Sequence, residues 1–120
     1  VQELCVKEEV SGIGYFSLAR GFLSGKYRSP ADADKSARGK TAVDKYLNDR
    51  GRRILAALDA VAGRRNTTQA AIAIAWIAAQ PAVGGAIASA TSADQLKHLI
   101  DGARLSLTAD DLKQLTEAGN

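Results

Sequence analysis

At 120 residues, with 46% hydrophobic and 24% charged side chains, the chain has the composition of one soluble globular domain and not of a disordered segment. Its net charge of +3 suits an anionic ligand, and also nucleic acid, and by itself selects neither. One cysteine excludes an internal disulfide framework, no apolar run reaches the ~20 residues of a membrane span, and Val1-Gln2-Glu3-Leu4 lacks the basic-then-apolar pattern of a secretory signal, so a cytoplasmic location is expected.

Residues 2–10 read as the end of a helix, with Leu4, Cys5 and Val6 among charged neighbours and Ser11-Gly12 as the stop. Cys5 is expected to be a half-buried hydrophobe rather than a nucleophile. Ile13-Gly14-Tyr15-Phe16-Ser17 has strand character, and its apolar content suits a buried parallel strand. Leu18 to about Leu47 reads as irregular, with a positioned loop at 18–28 and a mobile flap at 29–42. Asn48 can cap a helix to about Arg64. Ile54, Leu58 and Val61 form its apolar face, Leu55 and Ala62 flank them, Arg52 and Asp59 point away, and Gly51 weakens the first turn.

Thr67 or Thr68 opens the next helix, and Pro81 ends it after Gln80. Ile72, Ile74, Trp76 and Ile77 leave almost no polar face, so this helix is expected to be covered on several sides. Ala86-Ile87-Ala88-Ser89-Ala90 reads as a second short strand. Ser92 and Gln95 can form a reciprocal capping box for a helix that Gly102 ends. Thr108 caps a last helix, with Asp110 and Asp111 in its first turn. Strands alternating with helices predict a parallel α/β arrangement, and two strands are too few for a sheet of the usual size.

The chemistry concentrates in the segments after the two strands. In Tyr15-Phe16-Ser17-Leu18-Ala19-Arg20-Gly21-Phe22-Leu23-Ser24-Gly25-Lys26-Tyr27-Arg28, Gly21 and Gly25 let backbone approach a ligand, and Lys26 and Arg28 offer positive charge. In Ile87-Ala88-Ser89-Ala90-Thr91-Ser92-Ala93-Asp94-Gln95-Leu96, the hydroxyls and N–H groups of Ser89, Thr91 and Ser92 gather where a helix begins, a natural anion site. Each alone could be an ordinary polar turn or cap.

Together they are specific. The first segment resembles the aldo-keto reductase motif Y-x-x-L-A-x-G-x-L-S/T-G-K-Y, and the second resembles that family's G/S-A-T/S-x-x-x-Q-L; Ala-Ile-Ala-Trp-Ile-Ala-Ala-Gln-Pro between them is similar to its seventh barrel helix. The resemblance covers nearly all of residues 1–120. It implies the C-terminal fragment of a (β/α)8 TIM barrel, helix-rich with two short parallel-type strands, carrying the seventh and eighth strand/helix units.

By the same resemblance the chain binds NADP, or less securely NAD, without a metal. Tyr15 would lie against the nicotinamide, and Ser17, Leu18 and Ala19 would meet the pyrophosphate on a turn shaped by Arg20 and Gly21. Lys26 would contact phosphate and Arg38 would close over the cofactor. Ser89 and Thr91 would hold the 2′-phosphate end, and Gln95 the ribose or adenine. His98 and Leu99 replace the acidic and amide residues that many members place after Gln-Leu, and Phe16 replaces the commoner serine. The family's proton-donating Tyr, with its Asp, Lys and His partners, belongs to the first half of the barrel; Tyr15, Tyr27 and Tyr46 do not stand in its motif, and His98 reads as a surface residue.

A second expectation is an assembly module, whose apolar surface around Ile13, Tyr15, Ile72, Trp76 and Ile87 pairs with another copy or with an N-terminal barrel half. A nucleic-acid binder built on Arg50, Arg52, Arg53, Arg64 and Arg65 is disfavoured by 5% aromatic content and the lack of a recognised motif.

Overall fold

The computed structural model describes residues 1–120. It is a helix-rich α/β fold with six α-helices: α1 (Gln2–Lys7), α2 (Gly39–Tyr46), α3 (Asp49–Arg65), α4 (Gln69–Ala78), α5 (Ala93–Arg104) and α6 (Ala109–Ala118). Two strands, β1 (Gly12–Gly14) and β2 (Val83–Ala86), pair in parallel, with Ile13 opposite Gly85 and Gly14 opposite Ala86. Two 3-10 turns, Ala19–Ser24 and Pro30–Lys35, lie between β1 and α2.

Local chemistry sets the helix starts. Asn48 Oδ1 accepts from Gly51 N–H at 2.9 Å, Thr68 Oγ1 from Ala71 N–H at 3.3 Å, and Ser92 Oγ from Gln95 N–H at 3.1 Å. Thr108 and Asp111 form the full reciprocal box on α6. The box expected on α5 is incomplete: Gln95 Oε1 reaches past Ser92 to Thr91, accepting from its N–H at 2.8 Å and its hydroxyl at 3.0 Å.

The core sits between α3 and α4 and under the first 3-10 turn. Phe22, Tyr27, Leu55, Leu58, Val61 and Ile72 are buried there. On α3 the buried face is centred between Leu55, Leu58 and Ala62, one position away from Ile54, which is only half-buried. α4 is buried from Ala71 to Ala75, as its nearly continuous apolar girth requires. α6 closes the other side of α3. Arg50 Nε donates to Gly119 O at 2.5 Å and Arg53 to Asn120 O at 3.2 Å, Arg64 pairs with Asp111 at 2.6 Å, and Arg65 donates to Ser106 O. Four of the five arginines considered for nucleic acid therefore staple the molecule internally, while the exposed Arg52 pairs only with Asp49 of its own helix at 3.9 Å.

Several expectations are corrected. β1 is parallel but not buried, Ile13 being 63% exposed, because β2 is its sole strand partner. β2 starts three residues earlier than expected, at Val83 rather than Ala86, and 87–90 is irregular. The stretch 18–47 is not structureless: besides the 3-10 turns it contains α2, whose Ala42 and Val43 are buried. Segment 29–42 is tied down where a flap was expected, through a capping box at Ser29 and Asp32 and a 2.5 Å hydrogen bond between Tyr27 Oη and Ser36 Oγ. Ile72, expected on the apolar surface of an assembly module, is fully buried.

Two glycines serve close packing rather than weakening or ending a helix. Gly51 is a packing site: a Cβ there would lie 1.8 Å from Tyr46 O and 3.0 Å from Phe22 Cζ. Gly102 lies inside α5, which runs on to Arg104; its Cβ would be 2.6 Å from Ala71 O, so it lets α5 approach α4.

Candidate functional site

Parallel pairing makes β1 and β2 end side by side, so the segments beginning at Tyr15 and Ile87 leave the same edge of the sheet. This is the arrangement in which α/β folds place ligands, at the carboxyl ends of parallel strands.

The first segment is anchored from below. Leu18, Ala19 and Leu23 pack against the core and Phe22 and Tyr27 are buried in it. Between these anchors the backbone turns through left-handed conformations at Ala19 (φ 48), Arg20 (φ 60) and Gly21 (φ 91). Only glycine adopts such angles without cost, so Ala19 and Arg20 hold strained backbone of the kind that collects at ligand sites. The Ser17 hydroxyl and Arg20 Nε are buried with no hydrogen-bond partner. Each is a donor that a bound anion could satisfy.

Above the turn the side chains stack. The Arg20 guanidinium lies 4.3 Å from the Phe16 ring centroid, and the Phe16 and Tyr15 rings are 4.4 Å apart. Tyr15 is 76% exposed at the strand exit. Lys26 folds back over Gly21: a Cβ there would lie 2.9 Å from Lys26 Cε and 3.1 Å from Nζ. The glycine is demanded by its positive φ, and the flexible end of Lys26 lies across the space it leaves open.

Arg28, expected to offer free charge, does not. Its guanidinium donates to both Asp59 carboxylate oxygens at 2.8 Å. The paired Arg28 holds the Asp59 carboxyl below the usual carboxylate range, against the opposing effect of partial burial. This pair and its third member Gln69, which donates to Asp59 Oδ1 at 2.6 Å, escape sequence reading because they lie 31 and 10 positions from Asp59.

The second segment is more exposed. Ser89, Thr91, Ser92 and Gln95 all face solvent at the start of α5. Thr91 directs both its N–H and its hydroxyl at Gln95, leaving Ser89 and the Ser92 hydroxyl proton free to donate. Arg38 stands apart, exposed just before α2, with its backbone N–H on Ser36 Oγ at 3.3 Å. The structure therefore brings Tyr15, Ser17, Leu18, Ala19, Arg20, Gly21 and Lys26 together on one loop. It sets Ser89, Thr91 and Gln95 on the neighbouring exit, and leaves Arg38 on its own segment.

No group of three or more His, Cys, Asp or Glu side chains is placed to hold a metal ion. No helix is long and apolar enough to cross a membrane.

Comparison with known proteins follows the same lines. Protein tas of Escherichia coli (strain K12) is 30% identical over 116 residues, covering 94% of this chain and 33% of the relative, and Protein tas of Shigella flexneri matches to the same extent. The chain thus spans about a third of the length of the curated relatives it matches. The sequence profile of the aldo/keto reductase family matches residues 1–120. With its whole length matched, the chain belongs to the aldo/keto reductase family.

Proposed function

We propose that these residues are the cofactor-binding, C-terminal part of an NADP-dependent oxidoreductase that reduces aldehydes or ketones, folded as the seventh and eighth units of a (β/α)8 barrel. The observation that carries this is the parallel pairing of β1 with β2, which sets two anion-friendly loops at one sheet edge. The residues fit a dinucleotide: two buried orphan donors, a strained turn and a lysine lie on one loop, and free hydroxyls lie on the other.

When bound, the nicotinamide would supply the hydride. Tyr15, exposed at the strand exit, offers an aromatic face for its ring. The turn from Ser17 to Gly21 would donate N–H groups to the pyrophosphate, Lys26 would add positive charge, and Arg38 would approach from its own segment. Ser89 and Thr91 would receive the 2′-phosphate, Thr91 after releasing Gln95, and Gln95 would then face the ribose or adenine. No residue of this stretch matches the family's proton-donating Tyr or its Asp, Lys and His partners, so the 120-residue chain is expected to bind without catalysis.

Calorimetric titration with NADPH and NADH tests this. The chain should bind NADPH more tightly than NADH, Lys26→Ala should weaken NADPH by about tenfold, and added aldehyde should consume no NADPH. Failure of both dinucleotides to bind at millimolar concentration removes the reading.

A second reading, an assembly module, is favoured by exposure of Ile13 (63%), Tyr15 (76%) and Ile87 (57%) on the sheet and its exits. The surface would join another copy or an N-terminal barrel half. The two readings are compatible, since a barrel completed there would wall the cofactor loops.

A further inference from the structure

The loop after β1 is fastened at its far end by one guanidinium. Arg28 Nε donates to Gly25 O at 2.7 Å, while Nη1 and Nη2 each reach an Asp59 oxygen at 2.8 Å. Gln69 Nε2, at the start of α4, donates to the same carboxylate at 2.6 Å. The Arg28 backbone N–H donates to Asp32 Oδ2 at 2.8 Å. A bidentate fork tolerates little rotation, so α3, α4 and the second 3-10 turn meet at one fixed point.

Lys26 lies between that point and the strained turn. On one side Gly25 is left-handed (φ 79), with its N–H on Phe22 O at 3.1 Å. On the other side Tyr27 is fully buried. The lysine has a fixed residue before it and after it, and its side chain lies over Gly21. Its ammonium lies 5.1 Å from the Tyr27 ring centroid and joins none of the ion pairs of the structure, so no carboxylate competes with an anion for it.

We propose that Arg28 is a positioning residue: held between Gly25 O and the Asp59 carboxylate, it fixes the backbone that aims Lys26 across the turn at Ala19–Gly21. Arg28 contacts no ligand itself, because Asp59 already neutralises it. For the identity of the anion the inference rests on the dinucleotide reading above; for its geometry it does not.

The test is a double-mutant cycle read by NADPH titration of the 120-residue chain. Asp59→Asn and Arg28→Ala should each weaken NADPH by about fivefold, and the exchanged pair Arg28→Asp with Asp59→Arg should recover part of the loss. In a Lys26→Ala background neither substitution should cost anything further, an outcome that general loosening of the fold would not give. Unchanged affinity in the single variants, or equal losses with and without Lys26, overturns the proposal. Limited trypsin digestion, read by mass spectrometry without ligand, forms a second arm. Asp59→Asn should speed cleavage after Lys26 and Arg28 severalfold while cleavage outside this segment holds steady. If the parent chain binds no NADPH, the dinucleotide reading fails and this arm decides the positioning role: faster cleavage after Lys26 sustains it, and an unchanged rate overturns it.

Discussion

Ser17 is 6% exposed, and its hydroxyl finds no partner within the protein. A buried hydroxyl without a hydrogen bond costs on the order of 1–3 kcal/mol. Ser17→Ala should therefore raise stability by about 1 kcal/mol, seen as a higher thermal midpoint, while lowering NADPH affinity. Stability gained together with binding lost is the mark of a residue kept for a ligand. A variant that is less stable than the parent would show that the hydroxyl is satisfied by some other route. Asp32 shows the contrary case, a fully employed carboxylate. The Lys35 ammonium first, and then the N–H groups of Arg28 and Ser29, hold its carboxyl down to about 2.

At the scale of elements, the contact between α3 and α6 turns on Asp111. Its carboxylate is buried (2% exposed), accepts from Arg64 at 2.6 Å, and accepts from Thr108 N–H at 3.3 Å as part of the capping box. The Arg64 hydrogen bond leads the causes that lower its pKa below 3.8, with burial opposing and Thr108 assisting. A carboxyl lowered in the folded state gives stability that is complete above its ordinary pKa and fades as pH falls through the folded value. Asp111→Ala should cost about 2–3 kcal/mol at neutral pH, and urea melts of variant and parent should draw together as pH falls below the ordinary carboxylate range. Curves that stay parallel into acid would contradict the assignment.

The elements also show which features a sequence displays. Asn48, Thr68 and Thr108 cap helices through partners three residues away, so their roles were readable from spacing. Gly51 and Gly102 act against Tyr46 and Ala71, and only Tyr46 is near in sequence. A glycine needed for close approach looks the same as one that merely weakens or stops a helix. α2 was hidden by the glycine, serine and charge around it, although its Ala42 and Val43 pack into the core. The second strand was misplaced because Val83-Gly84-Gly85 has the composition of a turn, and only the partner β1 makes it a strand. The two loop motifs were legible as wording; their adjacency needed the strand pairing. The Arg28–Asp59–Gln69 clamp was not legible, since nothing local links its members.

For the molecule as a whole, surface area is the telling quantity. A compact monomer of 12.6 kDa exposes about 6,200 Å², whereas this chain exposes 7496 Å² over extents of 43 × 29 × 29 Å. The excess, roughly 1,300 Å², exceeds the ~800 Å² that one partner buries in a standard interface. Part of it is apolar: Leu4, Val10, Ile13 and Ile87 are exposed, and an apolar groove of about 340 Å³ lined by Ile74, Leu96, Leu99 and Ile100 lies beside β2. Sedimentation velocity of the isolated chain at micromolar concentration should show species heavier than 12.6 kDa. A single monomer boundary at every concentration would mean that this surface is tolerated in water.

The pair of strands that aligns the two loops is almost without side chains: Gly-Ile-Gly faces Val-Gly-Gly-Ala. Its cohesion comes from main-chain bonds with little packing above or below them, while α3 and α4 hold the buried mass. Such a seam should unzip long before the helices melt. Amide hydrogens of Ile13 and Gly85 should exchange with deuterium orders of magnitude faster than those of Val61 and Ile72, and saturating NADPH should slow the first pair selectively.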